Sequence, residues 1–268
     1  NLKCYNEGIK YGEVNPLFVR RENFRQFTQL YPVTTLLLAV ITILFIASYL
    51  PIVGHLIYSL GIGHNPAIEA GQLWRLVTPI FLHHGPMHFL FNAFALFIFG
   101  PALERILGRP KFIILYFAAG IAGNLATFFL GSDSTFYLGA SGALYGLLGL
   151  YLYMVLYRKH LMDPASSQVI IVMLVIGLIY TLLWPNINLY AHLFGFLAGL
   201  ALGPLLLRGN LSPFHPILIT RRVQEATSDE IRFDPARWQK KRQWKHWLRY
   251  GLFGLFIVLI LLGLWASL

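Results

Sequence analysis

The chain has 268 residues, 57% of them hydrophobic and 12% charged, with a formal net charge of +10. A soluble domain carries about 25% charged residues, so this composition excludes an ordinary water-soluble globule and points to helices that face lipid. No ten-residue stretches of alternating polarity occur, which argues against a transmembrane barrel, and the single cysteine, Cys4, excludes an internal disulfide framework.

Runs of about twenty apolar residues are each long enough to cross a bilayer. In chain order they predict seven spans: 33–50, 87–104, 112–130, 141–157, 168–184, 188–207 and 250–267. The first begins near Val33, too late and too long for a cleavable signal peptide. The chain therefore reads as an all-α polytopic membrane protein. It divides into an N-terminal segment (1–32), a six-span core (33–207), a basic connection (208–249) and a seventh helix (250–268).

Every Lys and Arg except Arg75 then falls on one side of the membrane. Basic loops stay cytoplasmic, so the N-terminus is expected inside and the C-terminus outside. The net charge is accounted for by this topology and by contact with anionic inner-leaflet lipids. It carries no basic groove or aromatic-lined fold that would point to nucleic acid. Trp238, Trp244 and Trp247 make 208–249 an interfacial anchor leading into the last span. On the opposite side, residues 51–86 contain Trp74 and Arg75 and read as an interfacial helical hairpin. Residues 131–140, rich in Gly and Ser, run directly into Ser141.

Polar side chains inside spans are costly, and a functional site is their default reading. His88, Asn92, Asn124, Ser141 and His192 are the main ones, while Glu104 sits at an inner end, where a structural charge pair is expected. Counting from the cytoplasmic charges, His88 is seventeen residues from Arg105, Ser141 seventeen from Arg158, and His192 sixteen from Arg208. At 1.5 Å per residue all three lie about 24–26 Å above the inner boundary of a core roughly 30 Å thick. They share one level, about 5 Å beneath the outer surface, which water can reach. Asn92 lies one turn below His88 on the same face.

Gly142, Gly146 and Gly149 in the fourth span, and Gly195, Gly199 and Gly203 in the sixth, allow close helix approach. Such glycines equally serve generic helix packing, but a close approach here brings His192 toward Ser141. A serine hydroxyl needs a base to take its proton, and neutral histidine is the usual one near pH 7. The Ser141 N–H, at a helix start, has no intrahelical partner. With the side chains of His88 and Asn92 it could hold the oxyanion of a tetrahedral intermediate. No carboxylate lies at this level, so a Ser–His dyad is expected, with Tyr145 stacked on the imidazole one turn below Ser141. The expected chemistry is peptide hydrolysis within the membrane.

Other chemistries fit less well. His83, His84 and His88 lack the HExxH pattern and a carboxylate, so no metal site is expected. No span holds the paired Asp residues of an aspartyl protease. GASGA is not the GxSxG of a nucleophile elbow. A transporter calls for inverted repeats and broken helices at the midplane.

Together the motifs resemble the rhomboid intramembrane serine proteases over about residues 33–207. The matching residues are Trp74-Arg75, HHGPMHFLFN from His83 to Asn92, Glu104, Gly139-Ala140-Ser141-Gly142, Tyr145, and AHLFGFLAG from Ala191 through Gly195 to Gly199. The resemblance implies Ser141 as nucleophile, His192 as general base, and His88 with Asn92 as oxyanion donors. It implies a lateral gate near the fifth span, substrates that are single-pass membrane proteins cut after a small residue near the outer face, and no cofactor. The six-plus-one arrangement and a bacterial plasma membrane fit the same family. His83 matches the spacing to His88 better than His84 does. Catalytically silent relatives that bind membrane clients usually lack the Ser or the His, and this chain has both.

Overall fold

The computed structural model describes residues 17–19, 22–132, 134–184 and 187–209. The seventh span and nearly all of the 208–249 connection lie outside the described residues. Nine α-helices run through the described part, in the order α1 (Phe24–Leu30), α2 (Pro32–Ala47), α3 (Pro51–Gly61), α4 (Asn65–Glu69), α5 (Pro86–Leu107), α6 (Arg109–Leu130), α7 (Ser141–Tyr157), α8 (Pro164–Leu183) and α9 (Leu189–Leu206). The chain is an integral membrane protein of all-α polytopic architecture. Helices α5, α6, α8 and α9 are long and apolar enough to cross a bilayer, and α1 with α2 forms a further apolar pair bent by 110°. Helix α7 is apolar and has 17 residues.

Element ends differ from the sequence reading for local reasons. Helix α2 stops at Ala47 rather than at residue 50, and Pro51 starts a new helix instead of continuing the old one. Helix α8 begins four residues earlier than expected, because Asp163 caps it by accepting from Ser166 N–H at 2.9 Å and Pro164 takes the first helical position. Helices α5 and α6 are separated by one residue, Gly108, whose φ of 77° suits glycine alone. Within the segment expected to be a plain N-terminal tail, Asn23 and Gln26 form a capping box that opens α1.

The 51–86 connection is not a helical hairpin. It consists of α3, α4 and two 3-10 turns, Leu73–Leu76 and Thr78–Phe81. A two-residue antiparallel bridge pairs Gly63–His64 with Phe136–Tyr137 and ties it to the segment before α7. Buried Arg75 holds the connection together, donating to the carbonyls of Ile62 and Ser59 and to Gln72 Oε1. Half-exposed Trp74 donates from Nε1 to Leu60 O at 3.0 Å.

Helix α7 is the central element. Ala143, Leu147, Leu150, Tyr151 and Met154 are sealed from solvent along its whole length. It packs against α9, α6 and α5, and more lightly against α8. The outer face of α8 is apolar and open, with Ile171, Val175, Leu178, Ile179, Leu182 and Leu183 all exposed. An open apolar surface on this scale fits lipid as the surrounding solvent.

Glu104 departs from expectation. The charge pair foreseen at the inner end is absent among its described contacts. Instead both carboxylate oxygens accept from the start of α2: Val33 N–H at 2.9 Å, Thr34 N–H at 2.8 Å and Thr34 Oγ1 at 2.7 Å. A buried carboxylate from one helix thus caps the N-terminus of another, where the helix dipole also favours it. The basic residues of the same end serve α9: Lys111 donates to Leu206 O and Arg158 to Leu207 O.

Candidate active site

The site is built at the head of α7. Its first helical hydrogen bond runs from Leu144 N–H to Ala140 O, so the N–H groups of Ser141, Gly142 and Ala143 stay outside the ladder. Ala140, at the cap position, offers no side-chain oxygen to occupy them. The preceding backbone is tied down twice. Gly139 N–H donates to Pro79 O at 2.8 Å, and Ala140 N–H donates to His83 Nε2 at 3.3 Å. Gly139 adopts φ 127°, and the position of a Cβ there would lie 2.6 Å from His88 Nε2 and 3.8 Å from Ser141 Oγ. Only glycine lets the His88 ring and the Ser141 hydroxyl flank the same point of backbone.

The two histidines left open by sequence separate cleanly. His83 is buried, whereas His84 is exposed. His83 is therefore the structural partner of the Ser141 segment, and its ring meets His88 edge-on at 5.1 Å. Burial first, and the neighbouring His88 second, hold its pKa down to about 3. The Phe81 carbonyl offsets part of this without an aligned hydrogen bond, since Nδ1 has no partner. His83 thus stays neutral and can accept from Ala140. Asn92, one turn below His88, donates one Nδ2 hydrogen to His88 O at 2.8 Å and keeps the other.

His192 enters from α9. Asn188 caps this helix, accepting from Ala191 N–H at 3.0 Å, and is itself held by Thr127 of α6 at 2.9 Å. The α7–α9 seam sets the approach. A methyl group on Gly195 would strike the Gly142 carbonyl, one on Gly199 the Gly146 carbonyl, and one on Gly149 the Phe196 carbonyl. These are backbone contacts, closer than any side chain would allow. The imidazole stacks on Tyr145 of α7, centroids 4.1 Å apart and planes 15° from parallel. Its Nδ1 lies 2.8 Å from Thr181 Oγ1 of α8.

No hydrogen bond joins Ser141 to His192 among the described residues. Resting-state catalytic contacts are often loose and tighten on substrate binding. Of the residues singled out from sequence, Ser141, His88, Asn92, Tyr145, Gly139, Gly142, His83, His192 and Gly195 gather at this end of the bundle, and Gly199 packs on Gly146 further along the α7–α9 seam. Trp74 and Arg75 brace the outer connection, and Glu104 serves the opposite end. No group of three or more His, Cys, Asp or Glu residues suited to a metal occurs among the described residues. Thr181, Gly177 and Asn188 were missed. A threonine near the end of an apolar helix carries little signal, since it commonly bonds back to its own helix.

This polar site at the head of a short central helix, inside an all-α membrane bundle, defines a class of polytopic protein with a half-buried serine beside a buried histidine. The rhomboid domain profile matches residues 70–209, and the chain belongs to the rhomboid family. It is 41% identical over 187 residues to "Putative rhomboid protease YdcA" of Bacillus subtilis (strain 168), covering 69% of this chain and 94% of that protein. It is 37% identical over 139 residues to "Rhomboid protease GluP" of the same organism, covering 52% of this chain and 27% of GluP. "Rhomboid-like protease 1" of Toxoplasma gondii is 35% identical over 149 residues, or 54% of this chain and 51% of that protein.

Proposed function

We propose that the protein is an intramembrane serine endopeptidase using Ser141 and His192 as a dyad. The observation that carries this reading is the α7–α9 seam, whose glycine-to-carbonyl contacts hold the serine and histidine helices together at the end where α7 begins. His192 accepts the Ser141 proton at Nε2 as Oγ attacks the scissile carbonyl. The developing oxyanion receives the free Ser141 N–H, the second Nδ2 hydrogen of Asn92 and, from the other side of Gly139, the His88 ring. The imidazolium then protonates the leaving amine, and water hydrolyses the acyl-enzyme by the same route in reverse. No cofactor takes part.

The substrate is the transmembrane segment of another membrane protein, unwound near the outer face of the bilayer. The names of the relatives support peptide-bond cleavage. The clustering of Arg105, Arg109, Lys111, Arg158 and Lys159 at the end opposite Ser141 supports a cytoplasmic N-terminus and an outward-facing site in a bacterial plasma membrane. The proposed organisation is a six-span core over 33–207, with 208–249 and the seventh helix appended.

Cleavage of a model transmembrane substrate, together with labelling by a fluorophosphonate, tests the reading. Wild type is expected to cleave and label, and Ser141→Ala to do neither while folding normally. Full cleavage by Ser141→Ala overturns it. A folded wild type that neither cleaves nor labels would point instead to a client-binding relative without activity.

A further inference from the structure

The hydroxyl network behind His192 determines which of its nitrogens is the base. Four short contacts meet there. Thr181 Oγ1 lies 2.8 Å from His192 Nδ1, 2.7 Å from Gly177 O and 2.8 Å from Tyr145 Oη, and Tyr145 Oη lies 2.7 Å from Gly177 O. Gly177 O can only accept. The two hydroxyls supply one proton each. With the ring proton on Nε2, two protons must serve four contacts, and Thr181 has to abandon either Nδ1 or Gly177. With the ring proton on Nδ1, three protons serve them: Nδ1–H donates to Thr181, Thr181 to Gly177 O, and Tyr145 to one of the two. In a water-poor site the better-satisfied arrangement prevails.

We infer that Thr181 of α8 is a positioning residue that holds His192 as the Nδ1–H tautomer, leaving Nε2 as the base toward Ser141. This rests on the dyad reading above. Tyr145 and Thr181 divide the work. Stacking on Tyr145 fixes the plane of the imidazole but permits a ring flip within it, and the hydroxyl of Thr181 removes that freedom. When Nε2 takes the serine proton, the Nδ1–H bond to Thr181 persists and strengthens, since the ring is now cationic. Thr181 lies in the last turn of α8, where the carbonyl-rich end of a helix favours positive charge. A hydroxyl and a helix carbonyl thus fill the place that a carboxylate holds in a three-residue serine protease.

Three variants in detergent or liposomes test the assignment. Thr181→Val keeps the shape and removes the hydroxyl, Thr181→Ser keeps the hydroxyl, and Ser141→Ala reports on the dyad itself. Thr181→Val is expected to lower kcat by about tenfold or more, a part of the roughly 10²–10⁴ that a general base supplies. KM should move little, the thermal midpoint should fall by no more than the loss of one buried hydrogen bond explains, and Thr181→Ser should recover most of the loss in kcat and in midpoint. The ring ¹⁵N resonances of His192, identified by their loss in His192→Ala, should report Nδ1–H in wild type and a mixture of tautomers in Thr181→Val. An Nε2–H ring in wild type overturns the inference, as does full kcat in Thr181→Val or equal loss in Thr181→Ser. If Ser141→Ala still cleaves while His192 is Nδ1–H only when Thr181 is present, the dyad reading fails and the tautomer assignment stands.

Discussion

Two helices reach the His192 imidazole, and they are held in opposite ways. Helix α9 is locked to α7 by backbone, with glycine Cα atoms seated on facing carbonyls at three levels. Helix α8 turns an open apolar face to its surroundings, and its described polar ties to the bundle are few: the Thr181–Tyr145–His192 contacts near one end and the Asp163–Ser166–Leu17 contacts at the other. The distance between Ser141 and His192 is thus set by main chain. Their rotational alignment depends on two hydroxyls and a helix that side chains alone retain. Under the proposed function, a helical substrate would approach more readily past α8 than through the α7–α9 seam.

The largest effects are expected on the seam between α7 and α9. Gly199→Val drives a branched side chain into the Gly146 carbonyl, which cannot move without its helix. The cost should exceed the roughly 1–3 kcal/mol of ordinary overpacking, seen as a large drop in thermal midpoint and loss of fluorophosphonate labelling. Survival of labelling would show that the seam is not the determinant.

Next comes the anchor of the Ser141 segment. His83→Ala leaves the buried Ala140 N–H without its acceptor and should cost about 1–3 kcal/mol. His84→Ala, on an exposed residue, should stay within about 0.5 kcal/mol. The pH dependence has a definite sign. With a folded pKa near 3 and an ordinary value of 6.5, His83 binds a proton more readily when unfolded. Its contribution is complete above pH 6.5 and falls away as the pH drops from there toward 3, by up to about 1.4 kcal/mol per pH unit. Thermal midpoints between pH 7 and 4 should decline less steeply in His83→Gln than in wild type.

On the yielding side the effects shrink. Tyr145→Phe keeps the stacked ring and loses the hydroxyl bonds to Gly177 and Thr181, costing about 1 kcal/mol of α8 docking. Faster hydrogen exchange in α8, but not in α9, would register it. Smallest is Asp163→Ala, which removes the cap of α8 and the tie to Leu17 N–H. Burial pushes the Asp163 pKa up, but hydrogen bonds from Ser166 and Leu17 outweigh it and leave the value below the ordinary 3.8. Its stabilisation is therefore present above pH 3.8 and lost only as the pH falls below that. A loss in Asp163→Ala as large as in Gly199→Val would erase the distinction between the two helices.

The sequence was informative along the membrane normal and silent around it. Counting residues from charges brought Ser141, His88 and His192 to one level, and the structure gathers their side chains at one end of the bundle. Rotation about each helix axis is not readable that way, so Thr181 went unremarked, and close approach of the two glycine-rich helices brings no hydrogen bond between Ser141 and His192 among the described residues. Glu104 failed for a related reason. Its position near basic residues suggested a pair, but its partners are backbone N–H groups of α2, which no charge pattern reveals. His83 and His84 differ only in burial, a tertiary property that spacing to His88 hinted at without deciding. The start of α8 was legible in Asp163-Pro164 and was missed by following the apolar run alone.

Beneath Ser141 the bundle has a closed floor. Helix α7 is only about 25 Å long, and below its first turn Ala143, Leu147, Leu150, Tyr151 and Met154 are closed off in packed hydrocarbon. Water that reaches Ser141 meets that packed floor. No chain of polar groups among the residues of α7 continues from there to the other face. A hydrolase built on this plan could work continuously in an energised membrane without short-circuiting the ion and proton gradients stored across it.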